Sequence, residues 1–99
     1  MQKSRVVVTG LGIISPVGND VISFWNSLKD GKSGIDKLTT FDASLFDSRI
    51  AGEVKGFDPS AYGINKKETH RMEKFVQYAI ACSTQAVKDS GFLHFLSLG

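Results

Sequence analysis

The hydrophobic positions of this chain fall into one short β-branched run and two helical stripes, separated by turn-forming residues. Arg5-Val6-Val7-Val8-Thr9-Gly10 has no in/out alternation, which predicts a strand buried on both faces. Gly10 to Gly18 follows as a connection rich in turn residues. Asn19 or Asp20 is placed to cap a helix. In that helix Val21, Phe24, Trp25 and Leu28 stand at i, i+3, i+4 and i+7, one apolar face. Lys29 falls in its last turn and Gly31 is a natural residue just past its end.

Residues 32 to 49 read as irregular, with Phe41 and Phe46 as anchors. Ile50-Ala51-Gly52-Glu53-Val54 is a weaker strand candidate. Phe57-Asp58-Pro59-Ser60 reads as a turn. Asn65 then opens the strongest predicted helix, running to about Ser90. Its apolar stripe is Met72, Phe75, Val76, Ala79, Ile80, Ser83, Ala86 and Val87. Lys66, Lys67, Arg71, Lys74 and Lys88 lie off that stripe, and Gly91 closes the helix. The order is strand, helix, short strand, long helix. That is the beginning of an α/β architecture whose first strand expects neighbours on both sides.

Length and composition narrow the picture. Ninety-nine residues allow one small domain. A hydrophobic fraction of 41% and a charged fraction of 22% are those of a globular chain. A net charge of +2 gives no basis for nucleic-acid binding. No apolar run approaches the ~20 residues needed to span a bilayer. Three valines near the N-terminus are too short for a signal-peptide core. One cysteine cannot form an internal disulfide. A cytoplasmic location is the simplest expectation.

Four features bear on chemistry. Gly10-x-Gly12 between strand and helix invites a dinucleotide-binding reading. The third glycine of that motif falls at Ser15, and Pro16 removes a backbone N–H that a pyrophosphate needs. The glycines are better read as letting the loop turn tightly against packed neighbours. Cys82, in Ala81-Cys82-Ser83-Thr84, is expected four turns or more inside the long helix, where the helix dipole no longer lowers a thiol pKa. It reads as a buried, inert cysteine. His70 and His94 lack a carboxylate or cysteine at metal-ligand spacing, so no metal site is expected. Finally, residues 65 to 74 hold four cations and two carboxylates. Lys66, Lys67, His70 and Arg71 recur three or four residues apart, which on a helix makes one exposed patch. On pattern alone this is a solvated helix face. A docking patch for an acidic protein is the sharper reading.

Four stretches together resemble a known family. They are Arg5 to Gly18; Phe24-Trp25 with Gly31-Lys32-Ser33-Gly34-Ile35; Phe41-Asp42 with Ala51-Gly52-Glu53-Val54; and Arg71 to Ala79 with Asp89-Ser90-Gly91. In order and spacing they resemble the start of the type II 3-oxoacyl-[acyl carrier protein] synthases, the condensing enzymes of fatty-acid elongation. The resemblance implies an incomplete N-terminal portion of a thiolase-like fold, layered α-β-α-β-α, within a homodimer. It implies a decarboxylative condensation of malonyl and acyl groups carried on acyl carrier protein, with no cofactor. In that family the acyl group moves to a cysteine, and two histidines and an oxyanion hole assist. No position in this chain matches that cysteine or either histidine. The basic start of the long helix does match: Lys66, Lys67, His70 and Arg71 take the positions that contribute to carrier docking. A histidine stands at one position where a permanent cation is usual.

The resemblance covers residues 5 to 91, and it implies that residues 1 to 91 are the N-terminal part of that family's N-terminal domain. Residues 92 to 99 depart from it, because a polar linker and another strand are expected there. Instead Phe92 to Gly99 has no acid and four large apolar residues among its first five. A frameshift, a gene break or a shortened chain each accounts for that. The expected readings are the N-terminal part of a condensing enzyme, a non-catalytic carrier-binding module, or a non-functional product.

Overall fold

Asp20 sets the first helix. In a computed structural model describing residues 3–92, α1 spans Val21–Lys29. The Asp20 carboxylate accepts the Ser23 N–H at 2.8 Å, satisfying one of the donors a helix start leaves free. Gly31 follows the C-cap with φ 69°. The expected apolar face is there, yet only Phe24 of its four members is even half-buried.

The sheet is smaller than expected and differently built. β1 (Ile35–Lys37) pairs antiparallel with β2 (Ile50–Gly52), with Ile35 opposite Gly52 and Lys37 opposite Ile50. β2 is the weaker strand candidate of the sequence. β1 lies in the stretch read as irregular, because three exposed residues are too few to show a period of two. Phe41 and Phe46 meet edge-on at 5.8 Å, but both remain exposed, so they brace each other and anchor no core.

Glu53 closes the far end of this hairpin. Its carboxylate accepts the N–H groups of Thr39 at 3.0 Å and Thr40 at 3.0 Å, and the Thr39 hydroxyl at 2.9 Å. These bonds from Thr40 and Thr39 hold the Glu53 carboxyl below its ordinary range. A depressed folded-state pKa means stabilisation that is present above the unfolded pKa and lost as pH falls through the folded one. Glu53→Gln should therefore lower the melting temperature at neutral pH. The difference from the parent chain should close as pH drops below the usual carboxylate range. A gap in Tm that stays constant down to pH ~2 would show that the carboxylate charge is not what matters.

The long helix of the sequence is two helices. Asn65 opens α2 (Lys66–Thr69), its side chain accepting the Glu68 N–H at 3.0 Å. The backbone then leaves the helical path, and Glu73, extended at φ −66° and ψ 156°, begins α3 (Lys74–Ser90). Gln77 makes the break possible. Its side chain is 3% exposed and its Nε2 donates to the Met72 carbonyl at 3.2 Å, with the Thr69 carbonyl at 3.5 Å. Carbonyls freed by the interrupted helix thus gain a donor from the next one. Gly91 ends α3 at φ 69°, returning its N–H to the Lys88 carbonyl, as expected.

α3 buries most completely the side opposite to its apolar stripe, of which Met72, Val76, Ile80 and Ala86 are half-buried. Each residue advances about 100° around a helix, so Gln77, Ala81 and Gln85 form one face. Ala81 is fully buried there. Against that face lie the 3-10 turn Pro59–Tyr62 and the loop from Gly10 to Asn19. Phe57 stacks on Tyr62 and meets Tyr78 edge-on at 4.9 Å. Phe75, Ala79, Ser83 and Val87 face away and are exposed, Phe75 by 72%.

Gly10 and Gly12 explain how the loop comes so close. A Cβ on Gly12 would lie 2.1 Å from the Cys82 carbonyl oxygen, and one on Gly10 2.1 Å from that of Ala86. The close-packing role expected of them is what the fold uses. Gln85 clasps the same loop: its Oε1 accepts the Ile13 N–H at 3.0 Å, and its Nε2 reaches the carbonyls of Ile13 and Asn19. Asp89 accepts the Leu11 N–H at 2.9 Å.

The N-terminal run does not form a strand. Val6, Val7 and Val8 are 93%, 74% and 81% exposed, and among the described residues the only sheet is the β1–β2 pair. A β-strand needs a neighbour to receive its peptide groups, and no described segment lies beside this run. The departure expected over residues 92 to 99 lies, Phe92 apart, outside the described residues, as does His94.

Candidate functional site

The four docking candidates gather at the corner between α2 and α3. Lys66 and Lys67 lie on α2, His70 is its C-cap, and Arg71 begins the turn that follows. All four are exposed. They do not stand at the start of one long helix, as the sequence reading has it. Thr69 and Met72, whose carbonyls Gln77 receives, bracket His70 and Arg71 and fix where the corner points. The Arg71 N–H bonds the Glu68 carbonyl at 3.0 Å, so residues 66 to 71 keep near-helical geometry despite the break. The spacing that brings the cations to one side therefore survives.

Beside the corner is an open cleft of about 510 Å³, with Lys66, Lys74, Asp58 and Glu73 on its walls and Ile64 and Gln77 beneath. Gln77 Oε1 is buried with no hydrogen-bond partner among the described residues. Cations and carboxylates balance within the cleft, while the corner outside it carries the excess positive charge. Such a surface favours encounter with an acidic macromolecule, since exposed like charges act through their summed field.

Cys82 needs two corrections. It is half-buried, not buried. It stands eight residues, about two turns, into α3, because the helix starts at Lys74. Two turns still place it beyond the first turn, where a helix N-terminus acts on a thiol. Among the described residues no group of three His, Cys, Asp or Glu side chains is arranged to hold a metal ion. Sequence reasoning missed Gln77, Gln85 and Asp89, the polar residues of α3 that position the rest. Their one signal is a pair of glutamines eight residues apart, on one side of a helix whose apolar stripe lies on the other.

Comparison with known proteins adds to this geometry. The sequence pattern described as the β-ketoacyl synthase N-terminal domain matches residues 3–94. The chain is 52% identical over 91 residues to a 3-oxoacyl-[acyl-carrier-protein] synthase 2 of Vibrio cholerae serotype O1, covering 92% of this chain and 22% of that protein. A synthase of the same name from Staphylococcus aureus is 46% identical over 89 residues, 90% of this chain and 21% of that protein. Among solved structures, the ishigamide ketosynthase/chain length factor superposes with a TM-score of 0.76 at 36% identity, over 86% of this chain and 21% of that one. The chain thus spans about a fifth of the length of these relatives. The described residues are an N-terminal portion of a thiolase-like fold. Sequence pattern and backbone agree over the same stretch: the chain belongs to the β-ketoacyl synthase family, as part of its N-terminal domain.

Proposed function

We propose that this chain is the N-terminal part of a fatty-acid condensing enzyme. The complete enzyme joins malonyl and acyl groups carried on acyl carrier protein, with loss of carbon dioxide. The observation that carries this is the family match over residues 3–94, together with relatives named as 3-oxoacyl-[acyl-carrier-protein] synthases. Lys66, Lys67, His70 and Arg71 contribute to the seat of the acidic carrier. Gln77 and the α2–α3 corner hold that seat in place. In this reading the complete enzyme is a cytoplasmic homodimer. No helix among the described residues is long and apolar enough to cross a membrane.

The chemistry belongs to sequence that this chain does not carry. Acyl transfer needs a nucleophilic cysteine with an activating neighbour, and Cys82 is half-buried inside α3 with neither a helix start nor a second cysteine beside it. A second reading, carrier binding without catalysis, is favoured by the exposed corner that gathers Lys66, Lys67, His70 and Arg71. The purified chain incubated with malonyl carrier protein should release carbon dioxide at the blank rate. Turnover that survives repurification would refute the assignment of chemistry to the rest of the enzyme. Measurable carrier binding without turnover would favour the second reading.

A further inference from the structure

Cations at an exposed corner do not choose among acidic proteins. They steer any acidic macromolecule and act mainly on the rate of encounter. A partner is kept by what it buries beside the charges, because binding energy concentrates in pockets that a polar rim closes from water. The cleft next to the α2–α3 corner is placed for that. It shares Lys66 with the corner, so a protein seated on Lys66, Lys67 and Arg71 extends across its mouth.

The cleft offers such a protein two things. Its charges cancel, Lys66 and Lys74 against Asp58 and Glu73, and what remains is the apolar surface of Pro59, Ile64 and Met72. The Ile64 N–H bonds the Pro59 carbonyl at 3.2 Å, which ties this apolar floor to the 3-10 turn. The second offer is Gln77, which is 3% exposed. Its Nε2 is engaged by the Met72 and Thr69 carbonyls, while its Oε1 has no donor among the described residues. A buried acceptor left unpaired costs stability, and an occupant that brings a donor removes that cost. Together the two features fit a side chain with an apolar body and an N–H or O–H group. A polyanion satisfies neither.

Resting on the carrier-docking reading above, we infer that this cleft is the selective half of the carrier seat. It receives one side chain of the acyl carrier protein, apolar in its body and donating to Gln77 Oε1. The corner sets how fast the carrier arrives. The cleft sets how long it stays, and so which acidic protein is kept.

The chain has two methionines, Met1 and Met72. Labelling their methyl groups with carbon-13 puts one reporter on the cleft wall and a reference at the N-terminus. The labelled 99-residue chain is titrated with Vibrio cholerae acyl carrier protein and, separately, with polyglutamate. Polyglutamate should move the backbone amide signals of Lys67 and Arg71 and leave the Met72 methyl in place. The carrier should move both. Ser60→Trp fills the cleft from an exposed position on its wall. Its affinity for the carrier should fall about tenfold, through faster dissociation and to the same extent at low and high salt. Its binding of polyglutamate should not change. Circular dichroism checks that its helices persist; if they do not, the titration of the native chain decides alone. Carrier binding that moves the corner amides but not the Met72 methyl overturns the inference and leaves the carrier reading standing. Absence of carrier binding overturns both. A Met72 methyl that polyglutamate moves as far as the carrier does also overturns the inference, since it then reports only the charge at Arg71. So does a folded Ser60→Trp chain that holds the carrier as tightly as the native one.

Discussion

Gly12→Ala should leave little of the folded chain. The new methyl group has to occupy a point 2.1 Å from the Cys82 carbonyl oxygen and 2.8 Å from the Gln85 Cβ. The first of these is helix backbone and cannot swing aside. The loop must lift from α3, which breaks both Gln85 bonds to Ile13 and strains the Asp89 bond to Leu11. Overpacking costs about 1–3 kcal/mol and each part-buried hydrogen bond lost adds about 1 kcal/mol. The total, on the order of 3–5 kcal/mol, approaches the whole stability of a small domain. Gly10→Ala meets Ala86 and Ser90 and should behave alike. Gly31→Ala is the control: its φ is 69° but nothing lies within 4 Å, so only the left-handed backbone cost of about 1–2 kcal/mol applies. Urea denaturation followed by circular dichroism ranks the three. A Gly12→Ala midpoint no lower than that of Gly31→Ala would mean the loop and α3 are not in close contact.

What the sequence made legible were elements whose signal is local. Asp20, Asn65 and Gly91 cap where their chemistry says they should, because a cap involves only the next three or four residues. The stripe on α3 was also legible, but which side of the helix this chain would cover was not. Periodicity reports that a face is apolar and says nothing of what meets it. The valine run shows the same limit. Its pattern states a need for neighbours, and among the described residues none meets that need.

The break between α2 and α3 was hidden for a different reason. No proline or glycine marks it, and Lys66 to Ser90 reads as continuous helix by propensity. The break is held by a tertiary device, the Gln77 side chain reaching back to two carbonyls, and that reach has no one-dimensional signature. The docking candidates were legible nonetheless. Lys66, Lys67 and His70 lie on α2 and its C-cap, and Arg71, in the turn that follows, stays beside them through its N–H bond to the Glu68 carbonyl.

Reversing that charge should show what the corner is for. In a complete synthase carrying this N-terminal part, Lys66→Glu, Lys67→Glu and Arg71→Glu together should weaken carrier-protein binding. Exposed ion pairs contribute about 0–1 kcal/mol each, so three reversals should cost on the order of a few kcal/mol. At 1.4 kcal/mol per tenfold, the affinity falls on the order of a hundredfold. The loss should sit mostly in the association rate and shrink as salt rises, since exposed charges steer encounter and are screened. His70→Arg should act in the opposite sense, adding a fixed guanidinium cation to the corner. Its gain is limited to about fivefold by the same surface energetics. Activity toward a small thioester that needs no carrier separates docking from folding. If the triple variant loses that activity in the same proportion, the cations at the α2–α3 corner maintain the structure and do not receive the carrier.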